Sequence, residues 1–176
     1  MWKMLQIVDL AFNNFNGTLP GRIFPTWKAM MLDINQTASK ANQIIFSFFG
    51  FGQVKYQDRV IVTMKGQEKT LIKILTIFTS IDFSSNRIEG SIPEEMMDFT
   101  ALYALNLSNN NLAGRIPSSI GKLQRLESLD LLNNSFTGEI PSQLANLSFL
   151  SVLNLSYNHF VGRIPTEVWN SVWYSA

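Results

Sequence analysis

The chain has 176 residues, a length for one domain, and is 46% hydrophobic with only 15% charged residues. It therefore folds rather than staying disordered, and a net charge of +1 leaves no electrostatic footprint for nucleic acid. The absence of cysteine excludes disulfides, thiol catalysis, zinc ribbons and iron–sulfur clusters. His159 is the only histidine, which excludes a two-histidine metal site and any Ser-His-Asp triad that does not use it.

The N-terminal stretch Met1–Leu10 has no clean apolar core and no small-residue cleavage site, so it does not read as a signal peptide. Across it runs a spaced set: Leu5, Val8, Leu10, Asn13, Phe15, Gly17, Leu19, Pro20. The same set returns four times downstream, with Gly90, Gly114, Gly138 and Gly162 each 24 residues apart. A proline stands three residues after each glycine (Pro93, Pro117, Pro141, Pro165), and an asparagine four residues before (Asn86, Asn110, Asn134, Asn158). The register reads L-x-x-L-x-L-x-x-N-x-L-x-G-x-I-P.

Between the first copy and the second, the pattern fails. Pro20 to Phe78 spans 58 positions where Pro117 to Leu126 spans 9, so residues 21–77 are expected to be an insertion. It is too apolar for a linker. Its longest apolar run, Ile44–Gly52, is far short of the ~18 residues a membrane span needs. Phe24–Met31 is expected to open as a short helix. Val60–Met64 reads as a β-branched strand and Lys65-Gly66 as a turn, with Thr70–Phe78 as a brief helix leading back. The division is then 1–20 as a first repeat, 21–77 as the insertion, 78–165 as four repeats and 166–176 as a divergent tail.

A 24-residue period of this form is the leucine-rich repeat pattern. The alternating x-L-x-L-x core makes a short strand with one buried face, and stacked copies make a parallel sheet on the concave side of a solenoid. Asn13, Asn86, Asn110, Asn134 and Asn158 turn inward, where each amide bonds backbone groups that the turn leaves unpaired, forming a ladder. The fold class is an α/β repeat solenoid with a parallel concave sheet, interrupted by an insertion.

The G-x-I-P ending is narrower. It resembles the plant-type leucine-rich repeat of cell-surface receptor-like kinases and receptor-like proteins, in which that stretch adds a second short sheet. The run Tyr56–Gly66 followed by Ile72–Asn86, with Trp27–Met31 upstream, resembles the island domain of plant receptor-like proteins of the fungal-resistance and elicitor-receptor type. The resemblance implies a non-catalytic recognition module at the extracellular side of the plasma membrane. Its partners would be an extracellular protein or peptide ligand and the ectodomain of a co-receptor kinase, with no cofactor and no metal. A soluble inhibitor similar to the polygalacturonase-inhibiting leucine-rich proteins is the alternative, although those have uninterrupted repeats. A nonfunctional receptor fragment is another, since the signal peptide, cysteine caps and membrane helix of the family are not found in these residues.

Candidate partner residues follow from the columns of the concave face. The central column is Asp9, Asp82, Asn106, Asp130 and Asn154, and the larger side chains able to anchor a partner are Phe12, Tyr103, Asn109, Glu127, Asn133 and Tyr157. From the insertion come Tyr56, Asp58, Arg59 and Lys65. The alternative for the central column is that short polar residues only solvate a strand face. Sequons stand at Asn16, Asn35, Asn106, Asn133, Asn146 and Asn154, which suits a sugar-covered surface. Glu94 and Glu95 sit where a helical turn starts, a position that favours negative charge without catalysis.

Overall fold

The computed structural model describes residues 2–31, 56–57, 60–64, 67–71, 74–75, 78–166 and 168. The first copy of the repeat supplies β1 (Ile7–Asp9) and β2 (Asn16–Thr18). The middle of the chain supplies β3 (Tyr56–Gln57), β4 (Val60–Met64), β5 (Gln67–Leu71) and β6 (Ile74–Leu75). Then come β7 (Ser80–Asp82) and β8 (Arg87–Gly90), and β9 (Ala104–Asn106) with β10 (Asn111–Gly114). The last two repeats give β11 (Ser128–Asp130) with β12 (Ser135–Gly138), and β13 (Val152–Asn154) with β14 (His159–Phe160).

The strands stack into two five-stranded sheets. One has the order β1-β7-β9-β11-β13 and is parallel throughout; the other has the order β14-β12-β10-β8-β2 and is also parallel. β1 pairs directly with β7, Val8 opposite Ile81, so the first repeat stacks on the second as though the chain between them were absent. β3–β6 and β4–β5 are antiparallel pairs outside both stacks. Thr70, Leu71, Ile74 and Leu75 are therefore extended, against the expected helix over Thr70–Phe78. Thr70 pairs with Ile61 and Leu71 with Val60, and the β-branched partners in that ladder favour strand over helix.

Two alternating columns fill the core from the first sheet: Val8, Ile81, Leu105 and Leu129 in one, Phe83, Leu107 and Leu131 in the next, all buried. Fully burying one such side chain is worth roughly 1.5–3 kcal/mol. The opposite wall is built from 3-10 turns. Glu94–Asp98, Ser118–Lys122 and Ser142–Asn146 each follow the repeat's proline, whose fixed φ starts the turn. A 3-10 helix has three residues per turn, so apolar residues at every third position line one side. Ile120, Leu123 and Leu126 do this, and each is fully buried.

Phe24, Trp27 and Met30 have the same spacing and are buried in the same cluster. They sit on two 3-10 turns, Phe24–Thr26 and Lys28–Met30, in place of the expected short helix. Trp27 stacks on Phe99 with ring centroids 5.9 Å apart, and Ala101 N donates to Met30 O at 3.0 Å. Residues 21–31, assigned from sequence to the insertion, are thus built into the first repeat as its outer wall. Departure from the repeat begins beyond Met31.

Candidate functional site

The ladder asparagines hold the repeats together. Asn110 Nδ2 donates to Leu107 O and Ser108 O of its own repeat and to Phe83 O of the preceding one, while its Oδ1 accepts from Ile88 N at 3.0 Å. Asn86, Asn134 and Asn158 repeat the arrangement, accepting from Phe15 N, Leu112 N and Phe136 N. Asn13 keeps the two donations within its own repeat, to Leu10 O and Ala11 O. One side chain therefore satisfies up to four backbone groups at a buried turn.

The central column of the concave face is a second series of caps. Asp9, Asp82, Asn106, Asp130 and Asn154 each accept through Oδ1 from the backbone N–H two residues on, at Ala11, Ser84, Ser108, Leu132 and Ser156. These are Asx turns that close the strand ends. Asn106 Nδ2 also donates to Asp82 Oδ2 at 3.1 Å. The column's oxygens are thus committed to the fold, and one acid is affected further. Burial pushes the Asp82 carboxyl above its ordinary range and Asp9 adds to this, opposed by donors from Ser84 and Asn106.

Burial divides this face. Asp82, Ser84, Asn106 and Ser108 are buried, whereas their counterparts Asp130 and Asn154 are half-buried and Ser156 is exposed. β4 lies beside β9, on the covered part. The open part carries Glu127, Asp130, Asn133, Asn154 and Tyr157. Tyr103 stands between the two, half-buried, its ring 5.7 Å from that of Phe78.

A third row was not legible from the pattern. Phe12, Ser85, Asn109, Asn133 and Tyr157, each one residue before a ladder asparagine, have φ between +53° and +55°. The left-handed region suits asparagine and costs a bulky residue more. Phe12 is 75% exposed and Tyr157 80% exposed, so the row presents its side chains along the rim of the concave face. Asn133 Nδ2 donates to Asn109 Oδ1 at 3.0 Å across neighbouring repeats. The clue was available in the asparagines at 109 and 133, a residue type that tolerates this conformation.

Other expected site residues scatter. Tyr56 lies in β3, while Asp58, Arg59, Lys65 and the sequon at Asn35 fall outside the described residues. Asn106 is buried with both ends of its amide engaged, which corrects its reading as a glycan acceptor. Asn16, Asn133 and Asn146 are exposed and Asn154 is half-buried. His159 opens β14 and is exposed. Glu94, in its 3-10 turn, accepts from Ser119 Oγ. Among the described residues no cluster of three metal-ligating side chains occurs and no helix is long and apolar enough to cross a membrane.

Two stacked parallel sheets, an asparagine ladder and a wall of 3-10 turns define a leucine-rich solenoid. The family model for the Leucine Rich Repeat matches residues 78–99, 101–123, 125–147 and 149–171, and the chain belongs to that family. Over 93 residues it is 48% identical to Receptor-like protein 43 of Arabidopsis thaliana, a match that takes in 52% of this chain and 12% of the relative. Among solved structures it resembles the plant peptide hormone receptor RGFR1 in complex with RGF2, with a TM-score of 0.65 and 25% identity over 96% of this chain and 19% of that one. It also resembles the Arabidopsis receptor kinase HAESA in complex with the peptide hormone IDA and the co-receptor SERK1. There the TM-score is 0.57 and the identity 27%, over 94% of this chain and 24% of that one. The matched part is a small fraction of each of these proteins.

Proposed function

We propose that this chain is a non-catalytic recognition module of a plant cell-surface receptor-like protein, presented outside the plasma membrane and serving in defence. It would bind an extracellular peptide or protein and dock the ectodomain of a co-receptor kinase. The observation that carries this reading is the divided concave face. Repeats two and three are covered where β4 approaches β9, and repeats four and five are left open with Glu127, Asn133 and Tyr157 accessible. A surface with one walled and one open half buries more of a ligand than a bare sheet. The likeness to hormone receptors solved with peptides and with a co-receptor supports the same reading.

In this proposal the segment beyond Met31 acts as an island that supplies the wall, with Tyr56, Asp58, Arg59 and Lys65 at the ligand's side. Asn16, Asn133, Asn146 and Asn154 are the glycan acceptors. The test is a chimera in which this chain replaces the matching part of a plant receptor-like protein with a known elicitor. Replacing residues 33–76 by a short Gly-Ser linker should abolish elicitor-dependent association with a SERK-type co-receptor while surface expression persists. Association that survives the replacement rules out the island as part of the site.

A further inference from the structure

The two ends of the stack differ in a way that makes them complementary. In every interior repeat the backbone N–H groups after the strand donate to carbonyls of the following repeat: Leu131 to Asn154, Asn133 to Ser156 and Asn134 to Tyr157. In the fifth repeat the same positions are Leu155, Tyr157 and Asn158, whose N–H groups face the end of the stack. At the other end, the first repeat presents the carbonyls of Asp9, Ala11 and Phe12 at the acceptor positions.

The side chains continue the match. The isoleucine column is 4% exposed at Ile92 and at Ile116 but 58% exposed at Ile164, where Phe149 and Val161 also stand out. The first end exposes Leu10 and Phe15, and beside them lies a cavity of about 280 Å³ lined by Trp2, Pro20, Ile23, Thr26 and Trp27. One end offers donors and protruding aliphatic groups. The other offers acceptors and an apolar cavity.

We propose that the fifth repeat of one copy stacks on the first repeat of a second copy, head to tail. The 24-residue register then carries through the junction. Leu155 N, Tyr157 N and Asn158 N of one copy donate to Asp9 O, Ala11 O and Phe12 O of the next. Asn13 Oδ1 accepts from Phe160 N, as Asn158 accepts from Phe136 N within the chain. Ile164 enters the Trp2–Trp27 cavity. The two faces are different surfaces, so the contact is heterologous and repeats without closing.

The test is sedimentation of the 176-residue chain with one end blocked at a time, with circular dichroism to check the fold. Wild type should show a weight-average mass that climbs with concentration and reaches no plateau. Phe15→Glu at one end and Ile164→Glu at the other should each give monomers alone. Mixed one to one, they should give a dimer and nothing larger, because one free head meets one free tail. A wild type that is monomeric at high concentration overturns the proposal. So does a dimer that persists in either single variant, which would mean a two-fold contact between like faces. If a variant does not fold, hydrogen exchange on wild type decides: the amides of Leu155, Tyr157 and Asn158 should exchange more slowly at high concentration than at low, and unchanged rates count against the contact.

Discussion

The third repeat, Leu102–Pro117, and the fifth, Leu150–Pro165, follow the same pattern in different surroundings. Leu105, Leu107 and Asn110 are buried between neighbours on both sides, whereas Leu153, Leu155 and Asn158 are half-buried with a neighbour on one side. The residue types are the same, so the difference belongs to the stack. In a solenoid, stability is a sum of repeat and interface terms, and an end repeat lacks one interface. A leucine here is worth what its neighbours cover.

The sharpest way to probe that comparison is to remove the same side chain in both places. Leu107→Ala should cost about 2–5 kcal/mol, the range for a leucine lost from a packed core. Leu155→Ala should cost less than half of what Leu107→Ala does, as read from urea denaturation midpoints. Equal losses would mean that the end repeat is as well packed as the middle one.

Ladder positions should differ by less. Asn110→Ala leaves Ile88 N and three buried carbonyls short of a partner, at roughly 1–3 kcal/mol. Asn158→Ala exposes its groups to water at the open side, and a smaller shift in melting midpoint is expected. Asn109 stands next to the ladder yet acts through its backbone. Asn109→Ala should cost about 1 kcal/mol through the left-handed φ of 53°, and Asn109→Gly should lose less than Asn109→Ala. If alanine and glycine behave alike there, φ is not the cause. From its exposed position alone, Asn109→Ala would have been expected to be near neutral.

Asp82→Asn should have the smallest effect, and in the stabilising direction. The Asp82 carboxyl is raised above its ordinary range by burial, so the folded chain binds its proton more tightly than the unfolded chain does. Its destabilising contribution is full above the folded pKa and fades as pH falls through that value toward the unfolded one. Asp82→Asn should therefore melt above wild type at pH 7, and the gap should close on acidification through that window. Asn106 and Asn154 already show that an amide fits this column.

How legible was this in the sequence? The period, the five ladder asparagines and the strand cores were legible because every copy repeats the same physical demand at the same offset. The outer wall of the first repeat was hidden by a single extra residue. Phe24 follows Pro20 by four positions where Met96 follows Pro93 by three, so a strict column comparison missed Phe24, Trp27 and Met30. The Asx caps were mistaken for free surface because a polar residue on a strand face reads the same whether its oxygen meets water or a backbone N–H. The left-handed row was invisible wherever serine, phenylalanine or tyrosine filled it. The return segment misled for another reason: Thr70 and Ile74 lie in a short apolar run whose periodicity cannot separate helix from strand.

The pairing of β1 with β7 also bears on how the molecule assembles and how it can change. The other junctions between repeats close loops of about one period, so they form locally and fast. This one must bring together Val8 and Ile81 across 73 positions of chain, which makes it the last junction to form and the first to open. Yet closure entropy grows only with the logarithm of loop length, about 0.6 kcal/mol for each doubling. The segment spliced out at this point is therefore nearly free to lengthen, shorten or be replaced while the repeats on either side stay in register. It is the place on this scaffold where new sequence is tolerated at the least thermodynamic expense.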